Sequence, residues 1–126
     1  VLSERVEQKR SIFNFYKSEL SAIAAITFLE ESQGSFSNYW LTTILLSKES
    51  TIDREKLRLH LEEDNIESRP LWKPMHLQPV FKDCNSFLNG VSEDLFDRGL
   101  CLPSGTNMTE IDLKRVVLKI KELYEA

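Results

Sequence analysis

The run NYWLTTILLS, Asn38 to Ser47, decides how this chain folds. Its aromatic and β-branched residues favour extended backbone, and both sets of alternating positions are largely apolar. The pattern predicts a strand over Asn38–Ser47 buried on both faces.

Working upstream, Leu2, Val6, Phe13, Tyr16 and Leu20 recur at helical spacing, with Ile12 and Phe15 widening the stripe. A helix over Leu2–Leu20 follows. Ser21 to Leu29 reads either as the end of that helix or as a strand, because Ile23, Ile26 and Phe28 suit both. Gln33, Gly34, Ser35 and Ser37 form a loop.

Downstream, Asp53 is placed to cap a helix, with Ile52 stapled to Leu57 and the buried stripe continued by Leu61. Ile66 to Arg69 is expected to be extended, since Arg69 precedes Pro70. Pro70, Pro74 and Pro79 are three of the chain's four prolines, and the missing donors predict an irregular, extended path. Phe87, Val91, Leu95 and Phe96 fit a helix ended by Gly99, expected there for its tolerance of positive φ. Leu100, Cys101 and Leu102 form a short strand stopped by Pro103. Thr109 and Asp112 form a capping pair for a last helix with core residues Leu113, Val116, Val117, Ile120 and Leu123. The elements describe a two-layer α/β domain with a small mixed or antiparallel sheet covered by helices.

The chain has 126 residues, enough for one domain over 1–126, and its 41% hydrophobic and 29% charged residues exclude disorder. A net charge of −4 argues against nucleic acid as a partner. No segment approaches the roughly eighteen apolar residues of a membrane span, and the charged N-terminus is unlike a secretory signal, so no membrane partner and a cytoplasmic location are expected. Cys84 and Cys101 lack metal or disulfide-framework spacing and read as reduced thiols.

No complete catalytic or metal-ligating motif is present. His60, between Leu59 and Leu61, reads as a boundary residue. Arg69, Trp72, Lys73, His76 and Gln78 alternate with prolines, which is either a preorganised binding loop or a structural strap with Trp72 plugging the core. Asn38, Tyr39 and Trp40 are a second candidate, set against a plain strand start, and Ser104, Gly105, Thr106 and Asn107 a third, set against turn and cap chemistry.

SRPLWKPMHLQPVF, Ser68 to Phe81, and NGVSEDLFDRGLCLPSGTNMTEIDL, Asn89 to Leu113, resemble the C-terminal domain of the DegT/DnrJ/StrS group of pyridoxal-phosphate-dependent sugar aminotransferases. Within it the chain is most similar to enzymes that aminate UDP-4-keto-6-deoxy amino sugars for bacillosamine-type glycans. VLSERVEQKR and NYWLTTILL fall in the family's order.

The resemblance implies the small C-terminal domain of a fold type I aminotransferase, moving an amino group from a donor such as glutamate to a keto sugar nucleotide, in a cytoplasmic homodimer. It implies pyridoxal phosphate in the full-length protein, with the aldimine lysine in a preceding large domain. Lys48, Lys73 and Lys82 are outside that lysine's sequence context, so neither a catalytic residue nor cofactor binding is expected in this chain alone. The absent initiator Met and the helical start at Val1 accord with that expectation. By the same resemblance Arg69, Trp72, Lys73, Met75, His76 and Gln78 lie along the sugar-nucleotide side with Asn38 and Trp40 close by, Arg69 or Lys73 meeting diphosphate and Trp72 giving an apolar wall. Tyr39 stands where close relatives often carry a basic residue. The alternative is a free-standing binding or regulatory domain of the same fold.

Overall fold

The computed structural model describes residues 1–125. Four helices, α1 (Leu2–Leu20), α2 (Arg54–Glu63), α3 (Val91–Arg98) and α4 (Glu110–Glu125), accompany four strands, β1 (Ile26–Phe28), β2 (Thr42–Leu46), β3 (Arg69–Pro70) and β4 (Gly99–Leu102). The strands form one antiparallel sheet in the order β1-β2-β4-β3, which resolves the expected α/β class in favour of the antiparallel form.

Successive strand residues point to opposite faces, and the register makes each face continuous across the sheet. Ile44 is opposite Leu100 and Phe28, so Phe28, Ile44, Leu46, Leu100 and Leu102 join one core with Phe13, Tyr16, Leu57, Leu61, Val117 and Ile120 of α1, α2 and α4. On the other face Thr43 is opposite Cys101 and Leu45 opposite Gly99. Those residues are buried too, so β2 is covered on both sides as its composition demands.

Local sequence signals explain the helix ends. Asp53 accepts from the Lys56 backbone N–H at 2.7 Å to open α2, with Ile52 and Leu57 both in the core. Before α4, the Asp112 carboxylate accepts from the Thr109 N–H at 2.8 Å while Thr109 Oγ1 accepts from the Asp112 N–H at 3.3 Å. In α1 only the second half of the stripe is buried, and Leu2 is exposed.

Four expectations are corrected. The strand begins at Thr42 rather than Asn38, because Tyr39 adopts left-handed backbone at φ 45° and turns the chain out of the sheet direction. Phe87 is fully exposed and precedes α3, which opens at Gly90 with φ 80°. Gly99 has φ −88° and belongs to β4, so positive φ is not the reason for a glycine there. The proline-rich segment is not uniformly extended, since it makes two 3₁₀ turns, Met75–Leu77 and Pro79–Phe81.

Candidate functional site

A groove of about 800 Å³ opens beside the β3 edge of the sheet. One wall is the segment from Asn65 to Trp72, the opposite wall the turn from Pro103 to Met108, and α1 and α4 contribute Lys9 and Arg115. Each wall follows from sequence. Pro70 confines β3 to a sheet edge, where a missing N–H costs least, and Pro103 ends β4 and starts the turn.

Trp40 and Trp72 meet at the mouth with ring centroids 6.1 Å apart, and they are 62% and 67% exposed. Two large apolar rings left in solvent at the lip of a concavity are unusual for core-building residues. Trp72 therefore does not plug the core, which removes the structural alternative for that side chain.

The exposure of Trp40 has a local cause. Arg10 grips Glu31 with two hydrogen bonds of 2.9 and 3.0 Å, donates to the Ser37 carbonyl and lies over the rings of Phe36 and Tyr39. Tyr39 stacks on Phe13 at 3.8 Å between centroids and accepts from the Glu31 N–H at 3.2 Å. The pinned phenol ring and left-handed Tyr39 backbone send the next residue outward, and Asn38 Oδ1 accepts from the Trp40 N–H at 3.0 Å. The Arg10 guanidinium and the Ser37 N–H hold the Glu31 carboxyl at about 2, well below its ordinary value. Tyr39 is thus a core residue, and the guanidinium beside it comes from Arg10.

The sequence candidates divide. Arg69, Trp72 and Trp40 line the groove, whereas Lys73, Met75, His76 and Gln78 do not. Arg69 is exposed and held by Glu67 at 2.6 Å. His76 turns to α3, its Nε2 2.7 Å from Glu93 Oε1, and the Gln78 amide donates back to the Lys73 carbonyl at 3.0 Å. Asn38 supports Trp40 without lining the groove. Of the Ser104–Asn107 turn, Ser104, Gly105 and Asn107 do line it.

Sequence reasoning missed Lys9, which the helical pattern offered only as a solvated charge. Lys9 Nζ donates to the Trp40 carbonyl at 3.0 Å and the Ser104 carbonyl at 2.5 Å, joining two loops across the groove. Burial lowers its pKa. Ser68 also lines the groove, and its buried hydroxyl has no hydrogen-bond partner among the described residues.

Lys9, Lys48, Lys73 and Lys82 do not fit a pyridoxal-phosphate pocket. Lys48 is exposed in an ion pair with Asp94 at 2.6 Å, and Lys73 and Lys82 are on the surface. Lys9 Nζ is committed to the Trp40 and Ser104 carbonyls, which tie it between two loops rather than presenting it as a free amine. Among the described residues no cluster of His, Cys, Asp or Glu could hold a metal, and no helix is long and apolar enough to cross a membrane.

A sequence profile described as the DegT/DnrJ/EryC1/StrS aminotransferase family matches residues 1–121. EpsN of Bacillus subtilis (strain 168), which is named for pyridoxal phosphate-dependent amino transfer, is 43% identical over 98% of this chain and 32% of its own length. GDP-perosamine synthase of Vibrio cholerae is 32% identical over 94% of this chain and 32% of its own. The chain thus spans about a third of the curated relatives it matches. Among solved structures, an aminotransferase from Brucella abortus, titled with the same family name, matches with TM-score 0.80 and 25% identity over 98% of this chain and 32% of that one. The aminotransferase TlmJ from Streptoalloteichus hindustanus has the same fold, with TM-score 0.85 and 20% identity over 98% of this chain and 33% of that one.

Proposed function

We propose, from the premise that this chain belongs to the DegT/DnrJ/EryC1/StrS aminotransferase family, that it is the C-terminal small domain of a sugar-nucleotide aminotransferase and forms one wall of the substrate site. The family is pyridoxal-phosphate-dependent, and in this reading the aldimine lysine belongs to a large domain outside this chain, which spans about a third of its relatives. The observation that carries the reading is the groove with Trp40 and Trp72 at its lip and cationic residues inside. Paired indoles suit the apolar face of a sugar or a base, and cations suit the phosphates that join them.

In this reading Trp40, Trp72 and Arg69 bound the nucleotide sugar directly. Asn38 fixes Trp40, and Lys73, Met75, His76 and Gln78 form the outer side of the same site. The substrate class is a UDP-4-keto-6-deoxy amino sugar of the bacillosamine type, glutamate is the amino donor, and the full-length enzyme is a cytoplasmic homodimer.

The test uses the full-length enzyme that carries this domain. It should show the visible-edge absorbance of bound pyridoxal phosphate and transfer nitrogen from glutamate to the keto sugar nucleotide. Trp72→Ala should raise the KM for that sugar about tenfold with kcat changed less, as expected when binding alone is removed. An enzyme with the cofactor absorbance but no turnover on any keto sugar nucleotide overturns the proposal.

A further inference from the structure

We infer that Lys9, on the α1 side of the groove, is an anion-anchoring residue that meets a diphosphate ester there. The surroundings of each cation single it out. Arg69, the other groove cation favoured by sequence, is 78% exposed at its side chain and already neutralised by Glu67 at 2.6 Å. Lys73 lies outside the groove. Arg115 also lines the groove but is exposed and donates to the Asp64 carbonyl. Asp112, the other groove carboxylate beside Glu67, is occupied by the N–H and hydroxyl of Thr109 at 2.8 and 2.7 Å.

Lys9 alone faces the groove with neither an acidic partner nor full hydration. Two of its three protons go to the Trp40 and Ser104 carbonyls, which leaves one donor and the whole positive charge uncompensated by any carboxylate among the described residues. A partly desolvated ammonium in that state gains most from an anion that can enter. Ser68, which lines the same wall as Arg69, is only 8% exposed, and its Oγ has no hydrogen-bond partner among the described residues. Lys9 and Ser68 line the same groove.

The inference rests on the nucleotide-sugar reading for the identity of the anion as a diphosphate ester, while the cation and the groove stand without it. It also gives Lys9 a coupling role. Anion binding at Nζ would draw together the Trp40 loop and the Ser104 turn, so the indole that meets the sugar or base and the charge that meets the phosphates move as one unit.

The probe is inorganic pyrophosphate, titrated into the 126-residue chain at low ionic strength and followed by calorimetry and tryptophan fluorescence. Saturable binding with a change in Trp emission is expected, and Lys9→Met should weaken it about tenfold, the scale of one charge-assisted contact. Lys48→Met, which removes the same charge outside the groove, should change it by less than about twofold. No binding by the wild-type chain, or equal binding by Lys9→Met, overturns the inference. Should Lys9→Met fail to fold, the Lys9 ¹³Cε resonance of the wild-type chain decides, since it must shift on titration and a resonance that stays put is equally fatal. Absence of amino transfer by the full-length enzyme with pyrophosphate binding intact would sink the aminotransferase reading and not this one.

Discussion

An ideal Cβ at Gly99 would lie 2.2 Å from Leu71 Cδ1 and 2.5 Å from the Leu95 carbonyl oxygen. The leucine can rotate, but the carbonyl belongs to α3 and cannot retreat without opening that helix end. Gly90 is the opposite case, with φ 80° and nothing within 4 Å. Gly99→Ala should therefore cost about 1–3 kcal/mol through overpacking. Gly90→Ala should cost only the left-handed penalty of about 1 kcal/mol. Chemical denaturation of the two variants checks the order, and a Gly90 variant less stable than the Gly99 one contradicts it. The sequence marks Gly99 as a helix stop but cannot show that it supplies space rather than a backbone angle, because Leu71 is distant along the chain and arrives only when β3 pairs with β4. Lys9 was illegible for the same reason. Its partners lie 31 and 95 residues away, and no periodicity encodes them.

At the scale of elements, the proline-rich strap from Pro70 to Phe81 is anchored by few contacts. The His76 ring meets Glu93 of α3 at 2.7 Å with side-chain exposures of 16% and 29%, and Pro74 is buried, whereas Trp72, Met75, Leu77 and Val80 are exposed. His76 links the strap to α3 through Glu93, and its loss should free the strap without unfolding the core. In His76→Ala, amide exchange at Leu77, Gln78 and Phe81 should quicken about tenfold while that of β2 and β4 is unchanged. Unchanged exchange in the strap would show that the prolines alone hold it. The elements with local signals were the ones legible in sequence. α2 and α4 carry caps and stripes within themselves, α1 carries a stripe, and Leu2–Leu20 matches its expected bounds. β1, with three residues, and β3, with two, have too little pattern to announce themselves and exist because β2 and β4 offer free edges. The reading of Trp40 as part of a strand failed because the Arg10–Glu31–Tyr39 contacts override local propensity.

Across the whole molecule, carboxylates close several of the long connections. Glu31 ties the loop before β2 to α1 through Arg10, and Asp94 holds Lys48 and Arg98 at 2.6 and 2.5 Å, with Arg98 also reaching the Leu46 carbonyl at 2.8 Å. The Arg10 bond, aided by the Ser37 N–H, holds Glu31 at about 2, and the Arg98 bond, aided by Lys48, holds Asp94 well below the ordinary aspartate range. Both groups therefore favour folding in their ionised forms. Their contribution is complete above the ordinary glutamate value of 4.5 and is lost as pH falls through the folded-state values, with Glu31 releasing its share between 4.5 and about 2. The midpoint of thermal unfolding should be flat near neutrality and decline below about pH 4.5, losing the loop before β2 first. The solvent-facing sides of these pairs make each contribution modest, so the decisive measurement is its shape against pH rather than its size. Glu31→Gln should unfold at lower temperature than wild type at pH 7, and the gap should close as the pH approaches 2. A gap that persists unchanged at pH 2 would mean that the substituted amide fails for steric reasons and that the ion pair is not what holds Tyr39 and Trp40 in place.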